Sequence, residues 1–324
     1  MIVLWILLGL ALLWLIFLFG PCLVAYHTIF SRRAGTDFER AVAPEGDFAP
    51  WAELLKESRE ALRARGLREL SLRSADGLRL VGDYCDGGSD HTAILLHGYR
   101  SDPMVNLAVQ AARFAGRGWN LLIPDQRAHG RSEGEKTGLG LLERNDLPEW
   151  VRWLRTETPT RKIVVYGVSM GAAAAAFAAD RLDPEAVEAL VLDCGFASPW
   201  EQIRGDCVKR RLPAGLMMPL IRLLVKRGMG LELRSSAREN LGRTRIPCFF
   251  LHGTADKTVP WAVGRANYEA CAAKKAFYSV TGAGHTTAFL QDPDRAEEAL
   301  FAFLREIDPE AGRPKSRSNQ PNHA

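Results

Sequence analysis

The sequence predicts an α/β fold, a mostly parallel β-sheet with helices on both faces. Three observations carry this: short apolar runs alternate with helical patterns, the runs lack a polar face, and a GVSMG turn joins one run to a helix former. The runs lie at 92–96, 119–123, 162–166, 187–192, 246–251 and 275–280, and helical patterns at 104–116, 143–155, 171–181, 261–273 and 294–306. Near-continuous apolar strands separated by helices imply a parallel sheet buried on both sides. Before them, residues 51–65 read as an amphipathic helix with Trp51, Leu54, Leu55 and Leu62 at helical spacing. Residues 70–84, turning at Ala75-Asp76-Gly77, read as a β-hairpin.

Four segments flank or interrupt this core. The expected division is an anchor over 1–30, a linker and amphipathic helix over 31–67, the main domain over 68–306 and a polar, disordered tail over 307–324. Residues 197–243 are too long for a simple crossover and read as an insertion.

The first thirty residues contain no Lys, Arg, Asp or Glu, and about 20 apolar residues suffice to span a bilayer. The run is longer than a secretory h-region and no basic residue precedes it, so an uncleaved single-pass transmembrane helix is expected. Arg32, Arg33 and Arg40 follow it, which places the main domain on the cytoplasmic side. Six cysteines without CxxC spacing read as free thiols and agree with a reducing compartment.

The formal charge of +4 over 324 residues, with arginines scattered, gives no footprint for nucleic acid. No HExxH, EF-hand loop or GxGxxG after the first strand occurs, so neither metal nor cofactor is expected.

The chemistry-bearing residues sit at predicted strand ends. Ser169, in GVSMG, lies on a strand-to-helix turn where only small neighbours fit, and its hydroxyl is the candidate nucleophile. A serine needs a base, and His285 in TGAGHTT follows the last strand. The imidazole needs a carboxylate, and Asp256 in HGTADKTVP is favoured over Asp193 because it completes the order Ser–Asp–His. The backbone N–H groups of Tyr99 and Met170 are the candidate oxyanion donors. His97 and His252, in matching His-Gly pairs, read as structural. Within the insertion, Leu216, Leu220, Leu223 and Leu224 mark an apolar helix face, suited to packing over the domain or to membrane contact.

In order, HGYRSD (97–102), DQRAHGRSEG (125–134), GVSMG, HGTADKTVP and GAGHTT resemble the α/β-hydrolase superfamily. More closely, the chain resembles bacterial membrane-anchored esterase and lipase-like hydrolases, related to the serine aminopeptidase and monoacylglycerol lipase groups. The resemblance covers residues 68–306. It implies an α/β-hydrolase fold, a helical lid over about 197–243 and hydrolysis of a hydrophobic carboxylic ester through an acyl-enzyme. A peptidase or amidase, an acyltransferase, and a non-catalytic binding module stay open as alternatives. It also implies structural roles for Asp125, Arg127 and His129. Ala128 stands where relatives carry glycine.

Overall fold

The computed structural model describes residues 1–311, excepting the side chains of residues 10, 11, 14, 15 and 18. Helix α1 (Ile2–Phe30) leads through α2 (Phe38–Ala41) and α3 (Ala52–Ala64) to the hairpin β1 (Arg68–Arg73) and β2 (Arg79–Cys85). Then follow β3 (His91–Leu96), α4 (Pro103–Gly116), β4 (Asn120–Asp125), α5 (Leu147–Glu157), β5 (Lys162–Val168), α6 (Met170–Ala178) and β6 (Val187–Asp193). The interval after β6 folds as α7 (Pro199–Lys209), α8 (Ala214–Met229) and α9 (Ala237–Leu241). The chain closes with β7 (Cys248–Gly253), α10 (Trp261–Ala270), β8 (Lys275–Val280), α11 (Ala288–Gln291) and α12 (Pro293–Arg305).

The eight strands form one sheet in the order β1-β2-β4-β3-β5-β6-β7-β8. The pairs β1/β2 and β2/β4 are antiparallel, and β3 through β8 run parallel with β4. Side chains alternate across each strand, so β3 sends Ile94 and Leu96 into one core and Ala93 and Leu95 into the other. The first core is covered by α5, α6, α8 and α9, and the second by α3, α4 and α12. Parallel strands deliver their C-terminal ends to one edge, where Leu96, Val168, Asp193 and Gly253 stand.

The N-terminal segment departs from expectation. Residues 2–30 form one helix that runs through Pro21, but its last turns belong to the domain. Cys22, Tyr26 and Phe30 recur every fourth residue and are buried, packing with α8. Residues 2–8 are exposed, as are Leu12, Leu13, Ile16 and Phe17. Among the described residues no helix is long and apolar enough to cross a membrane. The expected span over 1–30 is corrected accordingly, because part of that apolar stretch is protein core.

Two further expectations shift. Helix α8 buries Met217, Met218, Ile221 and Val225, while Leu216 and Leu223 are exposed and Leu220 and Leu224 pack only at the margin. A helix apolar nearly all round leaves its buried face to be chosen by its neighbour, here α1. The tail begins ordered, since Asp308 Oδ2 meets His91 Nε2 at 3.2 Å and Ala311 is fully buried. Residues 312–324 of the expected disordered tail lie outside the described residues.

Candidate active site

The strand β5 ends at Val168 and α6 begins at Met170, leaving one residue to turn the chain. Ser169 does so at φ 53° and ψ −110°, a conformation unfavourable for a residue bearing a Cβ. Glycines relieve the crowding around it. A Cβ at Gly167 would fall 2.4 Å from the Gly171 carbonyl carbon, and one at Gly171 would fall 2.1 Å from Leu96 O. The turn is pinned by the Ser169 N–H, which donates to Asp193 O at 2.8 Å on the neighbouring strand.

His285 reaches the serine from the loop after β8. Ser169 Oγ lies 2.9 Å from His285 Nε2, and His285 Nδ1 lies 2.7 Å from Asp256 Oδ2. Both bonds are satisfied only if the ring proton is on Nδ1, so the hydroxyl donates to Nε2 and Nδ1–H donates to the carboxylate. The loop is shaped by Gly282 at φ 78° and by Gly284 N–H donating to Thr287 Oγ1 at 3.0 Å. Such a chain lets an attacking hydroxyl pass its proton to imidazole while a fixed carboxylate stabilises the imidazolium.

Asp256 serves two masters. Its Oδ1 accepts the N–H groups of Thr258 (2.8 Å) and Val259 (2.9 Å), shaping the turn into α10, and its Oδ2 takes His285. Burial pushes the carboxyl towards its neutral form, but bonds from His252 and His285 outweigh this and hold it well below the usual carboxylate range. Asp193, the competing acid, is fully buried beneath the turn and accepts the Tyr166 hydroxyl at 2.9 Å. Burial raises it to about 6, and among the described residues its Oδ1 has no hydrogen-bond partner. The imidazole is bonded to Asp256.

The two His-Gly pairs are framework. Fully buried His97 donates from Nδ1 to Gly98 O at 2.7 Å and accepts the Gln126 N–H at Nε2, 3.1 Å away. Burial lowers its pKa to about 3, so it is neutral. His252 Nε2 donates to Val259 O at 2.9 Å and lies 3.4 Å from Asp256 Oδ2, supporting the acid from behind.

The loop after β3 passes beside Ser169, since a Cβ at Gly98 would lie 3.7 Å from Ser169 Cβ. Tyr99 follows it. Met170 opens α6, so its N–H is among those a helix leaves without an internal acceptor and stands at the positive end of the helix dipole. Supporting this edge, Arg127 is buried between Asp76 (2.8 Å) and Asp146 (2.5 Å), and Asp125 accepts Arg131 Nε at 2.7 Å. Ala128 adopts φ 60°. What Tyr99 and Arg100 bind with their side chains was not legible in the sequence: both reach carbonyl groups at the end of α1.

Among the described residues, two groups have atoms close enough to hold a metal ion. Cys194, Asp256 and His285 form one, but its imidazole and carboxylate are already bonded to each other. His91, Glu188 and Asp308 form the other, where His91 starts β3, Glu188 lies in β6 and Asp308 follows α12. Burial raises Glu188 to about 7, well above the usual carboxylate range.

Known proteins share this architecture. The α/β-hydrolase-fold family model matches residues 94–213. The chain is 28% identical to Bacillus subtilis YqkD, covering 66% of this chain and 71% of that protein. It is 24% identical to the lysophosphatidylserine lipase ABHD12 of Danio rerio, covering 62% of this chain and 52% of that protein. The solved esterase Pf2001 of Pyrococcus furiosus superposes with a TM-score of 0.62 at 25% identity, covering 77% of this chain and 95% of that one. Sheet order, strand-to-helix serine turn and these likenesses agree: the chain has the α/β-hydrolase fold.

Proposed function

We propose that this hydrolase cleaves a carboxylic ester through an acyl-enzyme, with Ser169 as nucleophile, His285 as general base and then general acid, and Asp256 as the carboxylate that orients it. The observation that carries the reading is the unbroken chain from Ser169 Oγ through His285 to Asp256, at 2.9 and 2.7 Å. Attack by Oγ on the ester carbonyl transfers the hydroxyl proton to Nε2 and puts negative charge on the carbonyl oxygen. The N–H groups of Met170 and Tyr99 receive that charge. Collapse expels the alcohol, protonated from Nε2, and water repeats the sequence to release the acid.

An acyl group of hydrophobic character is the proposed substrate. Support comes from the apolar insertion helix α8, with Leu220 and Leu224 turned towards the core and Leu216 and Leu223 exposed, and from the esterase and lipase activities named for similar proteins. The exposed, uncharged first turns of α1 support attachment to a membrane through this helix. Carbonate extraction of the full chain tests that attachment. Retention in the membrane fraction is expected, and release into the supernatant contradicts it.

The substrate test is kcat/KM across nitrophenyl esters from acetyl to dodecanoyl, beside aminoacyl amides. Each buried methylene contributes about 0.8 kcal/mol, or roughly fourfold, until the pocket fills. A rise to medium chain length is expected. Faster cleavage of aminoacyl amides points instead to a peptidase, transfer to added alcohol in preference to water points to an acyltransferase, and inertness towards every substrate points to a binding module.

A further inference from the structure

We propose that Tyr99 and Arg100 are positioning residues that fasten the oxyanion loop to the C-terminal end of α1, so that the N-terminal helix sets the geometry of the site. The inference rests on the serine hydrolase reading above.

Arg100 has φ 52°, a left-handed conformation that is unfavourable for a non-glycine residue and must be held by its surroundings. Its backbone N–H donates to His129 Nε2 at 3.1 Å, and its carbonyl accepts the Thr36 N–H at 2.8 Å. Its guanidinium Nη2 donates to Ser31 O at 3.0 Å and to Thr28 O, and stacks over the Tyr99 ring 4.7 Å from its centre. The Tyr99 hydroxyl donates to Ile29 O at 2.7 Å.

These acceptors are the carbonyls at the end of α1, where a helix has no internal donors left and its dipole is negative. A guanidinium and a hydroxyl are well matched to that end. The end is itself immobilised, by buried Phe30 and by Arg32, which donates to Ser132 O and Gly130 O at 2.6 Å each. The other candidate donor is reached from the same place: Phe30 O accepts the Thr137 N–H at 2.9 Å, and Thr137 Oγ1 lies 3.5 Å from Met170 Sδ. Residues 28–36 lie outside the 94–213 matched to the family model, so the α1 side of this brace comes from chain beyond the matched region.

The experiment uses the full chain and compares wild type with Arg100→Met, Arg100→Lys and Tyr99→Phe. Each is measured for kcat and KM on a short soluble ester, and for affinity to an alkyl boronic acid, whose tetrahedral serine adduct needs the oxyanion donors. Arg100→Met is expected to lower kcat roughly 10- to 100-fold while KM moves less than about threefold. Boronate affinity should fall by the same factor as kcat, with Arg100→Lys recovering part of both. Tyr99→Phe, which removes one hydroxyl and leaves the packing, should show a smaller loss of the same form and keeps the test decisive should Arg100→Met not fold. Unchanged kcat in the folded variants overturns the inference, and so does a loss of kcat without a loss of boronate affinity. A wild-type chain that neither turns over the ester nor binds the boronate overturns the hydrolase premise itself, a result separable from failure of the brace.

Discussion

The ends of β6 and β7 make an instructive pair. Each delivers an aspartate near the sheet's C-terminal edge, Asp193 as the last residue of its strand and Asp256 three residues beyond. Both are buried, yet their electrostatics are opposite. Asp193 lies under the turn with a tyrosine hydroxyl as partner, and burial leaves it raised to about 6. Asp256 takes two backbone N–H groups and two imidazoles, and stays ionised far below neutrality. Burial alone therefore does not make a carboxylate useful to a base; the donors that pay for its charge do.

The largest contrast should appear in turnover. Asp256→Asn is expected to lower kcat/KM by about 10⁴, because the amide cannot fix the imidazole tautomer or stabilise its charged form. Asp193→Asn should keep activity within about tenfold, since nothing bonds Asp193 to His285. Steady-state kinetics on folded proteins decides it. Loss of activity confined to Asp193→Asn reverses the comparison.

Stability against pH sharpens the same contrast. Asp193 is raised in the folded state, so folding takes up a proton between about 3.8 and 6 and its contribution declines as pH rises through that window. Asp256 is lowered, so its contribution is present above the ordinary carboxylate pKa and is lost as pH falls below it. Urea denaturation of Asp193→Asn relative to wild type should thus show a difference growing in the variant's favour from pH 4 to 7, by about 3 kcal/mol at most. For Asp256→Asn the difference should shrink on acidification. Parallel curves for the two variants contradict the assignment.

The smallest effect belongs to a strained position that carries no carboxylate. Ala128 holds φ 60° where glycine adopts that angle freely. Ala128→Gly should stabilise the chain by about 0.5–1 kcal/mol without changing kcat. A decrease in thermal midpoint contradicts this.

Much of this site is legible in the chain because its chemistry is local. GVSMG between a strand and a helix, and two loops after the last strands, point to Ser169, Asp256 and His285, whose side chains the fold brings within hydrogen-bond distance. The six apolar runs likewise locate β3 to β8, since strands buried on both faces need apolar residues throughout. What stays hidden depends on choices between equivalent surroundings. Lipid and protein core ask for the same side chains, so residues 22–30 read as membrane although Cys22, Tyr26 and Phe30 lie against α8. Only their four-residue spacing hinted at a one-sided contact. Leu216 and Met217 are equally apolar, so the stripe that α8 buries could not be read from composition. The bonds from Tyr99 and Arg100 to α1 span about 70 residues of sequence and end on backbone carbonyls, which carry no residue-specific signal.

The central claim is that the Ser169 hydroxyl, activated by His285, becomes acylated. Incubating the full chain with a fluorophosphonate, then digesting it and sequencing the labelled peptide by mass spectrometry, addresses that bond directly. The expected result is a single adduct on Ser169, absent from Ser169→Ala and slowed by orders of magnitude in Asp256→Asn. An adduct on another residue, or labelling that persists in Ser169→Ala, would contradict it.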